Sequence, residues 1–370
     1  MSSLKYQIGL TCIAGIGDSL AKNLVSYCGG AEAVFKERKQ ALLKIPGIGE
    51  GIANKIIEGR GEALKHAEEE CLFVEKQQIK HLFYTEKDYP QRLKNCVDSP
   101  VLIYYKGNIN WNANKILGVV GTRNSTDYGK TICDRLMDEL KNHKDLVIVS
   151  GLAYGIDICA HKSALKNDIS TVGVVAHGLD KMYPALHKST AEKMMANGGV
   201  ATEFLSNTKP DRENFPKRNR IVAGMCDAII VIESAIKGGA LITAELANSY
   251  NRDVFAIPGD IDKEYSAGCN WLIKTNKAAL VQTAADIERN MNWDQKSEVK
   301  SSPRRQQQLL LDLSDDEKLL VDFLNEKSKA NIDTICIHAG IRVNKVASVL
   351  LGLELKGAVK MLPGRVYELV

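Results

Sequence analysis

A chain of 370 residues exceeds what one ordinary core organises, so two or three domains are expected. Its 45% apolar and 25% charged residues are those of a folded globular protein, and a net charge of only +4 leaves any case for a polyanion partner to local clusters. Nine cysteines, at 12, 28, 71, 96, 133, 159, 226, 269 and 336, are odd in number and form no CxxC pair, which argues against a disulfide framework and a structural zinc site, and no other metal centre is expected. The opening Met1-Ser2-Ser3-Leu4-Lys5 is unlike a signal peptide, and no apolar run reaches the ~18 residues of a membrane span. The expectation is a cytoplasmic protein with reduced, mostly core cysteines.

Residues 1–75 read as helical. Two turns of the same form open amphipathic helices: Ile13-Ala14-Gly15-Ile16-Gly17 before Leu20 and Leu24, and Ile45-Pro46-Gly47-Ile48-Gly49 before Ile52 and Ile56. Gly47 follows Gly15 by 32 residues, a period that suits two hairpins packed as one unit. The pair resembles a helix-hairpin-helix (SAM-like) domain, whose turns offer backbone N–H groups to a DNA phosphate. A plain helical domain whose turns need Gly explains the same residues, and the following helices carry few cations (Lys22, Lys55).

Residues 80–290 change character. After a connector with a short strand at Val101 to Tyr105, β-branched runs recur at 115–120, 146–149, 171–175, 199–202, 228–232 and 254–257, separated by helical segments. That alternation predicts parallel βαβ units in an α/β, doubly wound, mostly parallel sheet, with ligands at the carboxyl ends of the strands. Residues 291–313, with Ser301-Ser302-Pro303 and Gln306-Gln307-Gln308, read as a linker. Residues 314–370 hold three helical segments, the first capped by Ser314 with Glu317, and a hairpin around Pro363-Gly364. This resembles a winged-helix domain. Its third helix is Leu-rich, with Lys345 and Lys356 set against Glu354, which favours a protein-contact or packing role over groove reading.

The chemistry lies in four Gly-rich turns after strands, one of them Ala176-His177-Gly178-Leu179-Asp180, and one basic run. Gly121-Thr122-Arg123 precedes Gly129-Lys130-Thr131, which falls short of a nucleotide-binding P-loop because Asn124 stands where the pattern wants Gly. Arg123 is placed to clamp a phosphate, or to pair with Asp127. Ser150 and Gly151, before a helix opened by Gly155-Ile156-Asp157, suit a phosphate through a hydroxyl and backbone amides, with His161 one turn beyond Asp157 and read as its partner. Phe215, Lys217, Arg218, Asn219 and Arg220 put cations at a helix start, where they oppose the dipole unless an anion compensates. Phe215 suits either a stacked base or the core. Gly238, Gly239 and Thr243 form a further anion turn, with Glu245 placed as a possible glycosidic carboxylate or an ordinary helix-start charge.

Taken in order, these motifs resemble the DNA-processing protein A family (DprA, also called Smf) over roughly residues 85–285. The likeness is carried by Gly121-Thr122-Arg123 with Tyr128-Gly129, Ser150-Gly151 through Asp157, His161, Asp180 with Tyr183-Pro184, Phe215-Pro216 with Arg218 to Gly224, Gly238 to Ala244, Arg252 to Ala256 with Pro258-Gly259, and Gly268 with Asn270. The resemblance implies a Rossmann-like, non-catalytic, cofactor-free binder of single-stranded DNA. It also implies a homodimer that protects incoming strands in natural transformation and loads the RecA recombinase past single-strand-binding protein. Arg123 and the Lys217 to Arg220 cluster carry over as phosphate contacts. Departures are His177, where the family has a small or apolar residue, Thr202-Glu203-Phe204-Leu205, and Asn276-Lys277. Two other readings stand beside this one: a phosphoribohydrolase-type nucleotide enzyme acting through Glu245, and a nucleotide sensor signalling through the winged helix.

Overall fold

The computed structural model describes residues 2–293, 313–327, 329–362 and 366–369, which form two compact units divided between residues 294 and 295. Most of the expected linker, and the Pro363-Gly364 turn, lie outside the described residues.

In the first unit, nine strands form one sheet: β1 (Lys80–Phe83), β2 (Leu102–Asn108), β3 (Lys115–Val120), β4 (Leu146–Ser150), β5 (Ser170–Val174), β6 (Gly198–Thr202), β7 (Ala228–Val231), β8 (Asp253–Ala256) and β9 (Ala279–Leu280). Their order is β1-β2-β6-β5-β4-β3-β7-β8-β9. β1 and β2 pair antiparallel and β2 runs antiparallel to β6, while every pairing from β6 to β9 is parallel. The chain therefore builds outward from β3 to β6, then returns to lay β7 on the other side of β3. The carboxyl ends of β3 and β7 are the switch point where doubly wound sheets bind ligands.

These strands form because both sheet faces are covered. Along β3, Ile116 and Val120 pack into one core with helices Asn214–Met225 and Gly239–Ser249. Leu117 and Val119 pack into the other with helices Asp127–Leu140 and Ile156–Lys166. Strands β1 and β9 carry too few β-branched residues to show in the sequence.

The N-terminal helices share a core with the sheet edge: Ile8, Leu24 and Ile56 cluster with Phe83, Val101, Leu102 and Tyr104. Both predicted turns are present and alike. Gly15 and Gly47 each have φ of 84°, which favours Gly, and Gly17 and Gly49 N-cap helices Asp18–Cys28 and Glu50–Lys76. The first turn faces inward. The Asp18 carboxylate accepts from the Val101 amide at 2.8 Å and from Arg220 Nη2 at 3.0 Å, and Lys22 Nζ donates to Ser99 Oγ at 2.6 Å.

The second unit has helices Asp315–Lys327, Ile332–Ala339 and Val343–Leu355 and a three-stranded sheet, β10 (Lys329–Asn331), β11 (Val359–Leu362) and β12 (Val366–Leu369), in the order β10-β12-β11. It is a winged-helix arrangement. The expected capping box is made: the Ser314 amide donates to Glu317 Oε2 at 2.9 Å and the Glu317 amide to Ser314 Oγ at 3.4 Å. All nine cysteines are free, four of them buried and five half-buried. No single helix among the described residues is long and apolar enough to cross a membrane.

Asp18 holds both an amide and a guanidinium between helices and sheet, so Asp18→Ala is expected to destabilise the protein by about 1–3 kcal/mol in urea unfolding. An unchanged midpoint would show that the inward turn adds nothing to stability.

Candidate nucleic-acid interface

An open cavity of about 700 Å³ lies over the carboxyl ends of β3, β4 and β7. The turn after β3 supplies Gly121, Thr122 and Arg123, and the turn after β4 supplies Gly151 and Ala153. Phe215, Arg218 and Asn219 come from helix Asn214–Met225, and Lys237 to Ala240 with Thr243 from the turn and helix after β7. Four segments far apart in the sequence thus meet around one cavity.

Two buried groups hold the turns together. Glu233, just past β7, accepts from the Thr126 amide at 2.9 Å and from the Thr126 hydroxyl, while its own carbonyl accepts from the Thr122 amide at 2.7 Å. Arg218 lies under the cavity at 4% exposure, and its Nη1 donates to the carbonyls of Gly151 and Val174. A Cβ on Gly151 would sit 2.2 Å from that nitrogen, so only Gly leaves room for the guanidinium. Gly155, at φ of 76°, brings its helix against the Thr122 carbonyl, 2.1 Å from where a Cβ would be.

The cations divide by what they touch. Arg123, Arg212 and Lys237 line the cavity, are exposed, and make no ion pair or side-chain hydrogen bond among the described residues. The Arg123 guanidinium lies 4.7 Å from the Phe215 ring centre. Asp127, its alternative partner, pairs with Lys130 at 2.9 Å. The backbone amides of Gly239 and Ala240, at the start of their helix, have no backbone acceptor outside it among the described residues. Three cations without ion pairs above helix-start amides have the geometry that suits an anion.

Several expectations are corrected. Arg218 is no surface clamp, because its guanidinium is already held by two carbonyls beside Asp157. Arg220 turns away from the cavity and pairs with Asp18 and Glu203. The anions that compensate these helix-start charges are therefore the protein's own. Ser150 is fully buried, and its hydroxyl donates to the Val119 carbonyl at 2.6 Å instead of facing the cavity. Lys217 is exposed but lines a neighbouring cavity of about 290 Å³ with Asp18, Glu203 and Arg220. His161 pairs with Thr171 Oγ1 at 2.7 Å, not with Asp157, and burial pushes its imidazole down to about 3, so it is neutral. Burial also raises the Asp157 carboxyl, against the pull of Arg218.

Arg212 carries no signal in the sequence, because it lies in an irregular loop before the basic run. Lys237 was visible beside Gly238-Gly239, but nothing local marks its charge as unpaired. Glu245 lies outside the cavity lining and pairs with Lys277 at 3.1 Å.

The flanking units present weak DNA faces. Helices Asp18–Cys28 and Glu50–Lys76 both begin with an acid, which repels phosphate at those turns. On the third winged helix, Lys345 and Lys356 pair with Asp316 and Glu317, while Leu351 and Leu355 are exposed.

Fold and cavity define a doubly wound α/β protein with a cationic site at its switch point, carrying a winged-helix unit. The chain belongs to the DNA recombination-mediator protein A family, whose model matches residues 80–292, and the DprA winged helix domain matches residues 304–365. Protein Smf of Synechocystis sp. is 32% identical over 99% of both chains. DNA processing protein DprA of Streptococcus pneumoniae is 34% identical over 67% of this chain and 92% of its own. The X-ray structure of DprA from Streptococcus pneumoniae superposes with a TM-score of 0.67 at 32% identity, covering 77% of this chain and 97% of that one. A structure of DNA processing protein A from Helicobacter pylori, described for its single-stranded DNA binding mode, gives 0.53 at 26% identity over 59% and 97%. The Rossmann-like sheet with a winged helix and the recombination-mediator role follow from this membership.

Burial pushes the Glu203 carboxyl from 4.5 up to about 7 despite Arg220 beside it. The folded state then holds a proton between those values that the unfolded chain has lost. This contribution to stability is complete below about pH 4.5 and disappears as pH rises through about 7. Wild type should therefore lose up to ~3 kcal/mol relative to Glu203→Gln between pH 4.5 and 8 in urea unfolding. Parallel pH profiles of the two proteins would contradict this.

Proposed function

We propose that this chain is a single-stranded DNA-binding recombination mediator that holds phosphates at the switch-point cavity and performs no covalent chemistry. The observation that carries this reading is the rim of Arg123, Arg212 and Lys237, three cations without an ion pair or side-chain hydrogen bond among the described residues, around an open cavity beside Phe215. Membership in the mediator family supports it, as does a relative described as binding single-stranded DNA. On this reading Gly239, whose missing Cβ faces open space, lets the strand approach the backbone, Gly121, Gly151 and Gly238 let the turns pack closely on Ile156, Arg218 and Ser234, and Asn219 and Thr243 line the strand's path. Arg218 acts as the floor that keeps the cavity's shape.

The family role extends the proposal to a cytoplasmic homodimer that protects incoming strands during natural transformation. It would then hand them to the RecA recombinase in the presence of single-strand-binding protein. The winged-helix unit, with Leu351 and Leu355 exposed, fits a protein contact better than a DNA groove. A nucleotide hydrolase has less support, because Glu245 is paired with Lys277 outside the cavity.

Binding to a fluorescent poly-dT oligonucleotide and to the matching duplex, titrated with salt, tests the site. Preference for the single strand is expected, with affinity falling steeply with salt. Replacing Arg123, Arg212 and Lys237 by Ala should flatten the log–log salt slope by about 2, or ~0.7 for each phosphate no longer neutralised. Lys217→Ala should change it far less. Duplex preference, or a slope indifferent to the triple change, would overturn the assignment.

A further inference from the structure

The cationic cavity has an aromatic neighbour. A small hollow shares Arg123, Gly151, Ala153 and Phe215 with it, and adds Tyr154, His177 and Tyr183. Tyr154 and Tyr183 are 43% and 44% exposed, so both side chains are open to solvent. The Tyr183 ring centre lies 6.5 Å from that of Phe215 at an angle of 56°. Tyr154 rests edge-on against the buried His187 at 5.2 Å, and His187 is itself fixed to the Leu152 carbonyl at 2.8 Å. Three aromatic rings and the free Arg123 thus converge at one edge of the phosphate cavity.

His177 explains how the loop is held. It is buried, with Nδ1 donating to the Gly178 carbonyl at 2.8 Å and Nε2 accepting from the Tyr183 amide at 3.2 Å. Burial lowers its imidazole from the usual value, against its backbone hydrogen bonds, which keeps Nε2 free to accept. The residue that departs from the family pattern is thus the one that fastens Tyr183.

We propose that Tyr154 and Tyr183 extend Phe215 into a stacking platform for a base whose phosphate lies in the cationic cavity, with His177 as the positioning residue for Tyr183. The inference rests on the single-strand reading and names residues that the basic run did not point to. Aromatic faces beside cations favour single strands, because a duplex keeps its base faces covered. The hollow itself holds only about 20 Å³, so the base lies across the exposed rings and its edges stay unread. Purines and pyrimidines are accepted alike.

The test compares a dT oligonucleotide with an abasic one of the same length and charge, using the full chain. Tyr183→Ala should weaken dT binding about tenfold, the loss of roughly one stacked base, with an unchanged salt slope. Tyr183→Phe should restore it, and Tyr154→Ala and His177→Ala should behave like Tyr183→Ala. Wild type should bind the abasic strand more weakly, and none of these variants should weaken it further. Equal losses on both strands, or none on dT while Arg123→Ala still weakens it, would overturn the platform alone. Wild type binding neither strand would overturn the single-strand reading with it.

Discussion

Helix Asn214–Met225 is tied to the strand ends by one buried guanidinium. Arg218 reaches from the helix to the carbonyls that follow β4 and end β5, next to the buried Asp157. Removing one member of such a set leaves the others desolvated and unpaired, at a cost of several kcal/mol. The arrangement closes the cavity floor and fixes the height of Phe215, which lies one turn earlier on the same helix. Glu233 does the equivalent work between the turns after β3 and β7. With these two fasteners in place, the rim is free to carry charge that no described residue neutralises.

Charge of one sign therefore performs two tasks. Arg218 and Arg220 are structural, because carboxylates and carbonyls from distant segments reach them. Arg123, Arg212 and Lys237 face solvent, where a mobile polyanion is the compensation on offer. Exposed cations bring counterions that a phosphate chain releases, which makes such a rim salt-sensitive and indifferent to base identity. On the proposed reading, the neighbouring aromatic edge adds an interaction that salt does not screen, and a single strand can use both.

The flanking units bear the outlines of DNA-reading modules without their usual charges. The first N-terminal turn docks through Asp18 on the Val101 amide just before β2, so the repeat acts there as a brace for the sheet edge. The third winged helix presents Leu351 and Leu355 where a groove reader needs cations, and its two lysines are paired within the unit. Both features fit the proposal that nucleic acid is held at the central sheet.

What the chain determined by itself was local. Periodicity of β-branched runs marked the six parallel strands from β3 to β8, Gly turns marked the strand ends, and the Ser314–Glu317 box marked the start of a helix, because each is set by neighbours a few residues away. The ordered series of motifs also carried the family. The partners of the charges were a matter for the tertiary structure. Arg220 meets Asp18 from the far N-terminus and Glu203 from the end of β6, Arg218 meets carbonyls of two strands, and His161 meets Thr171 and not Asp157. Arg212 and Lys237 became site residues only when the sheet brought their loops together. Helix and strand obey short-range periodicity, whereas whether a cation is free or engaged depends on which distant carboxylate the fold delivers to it.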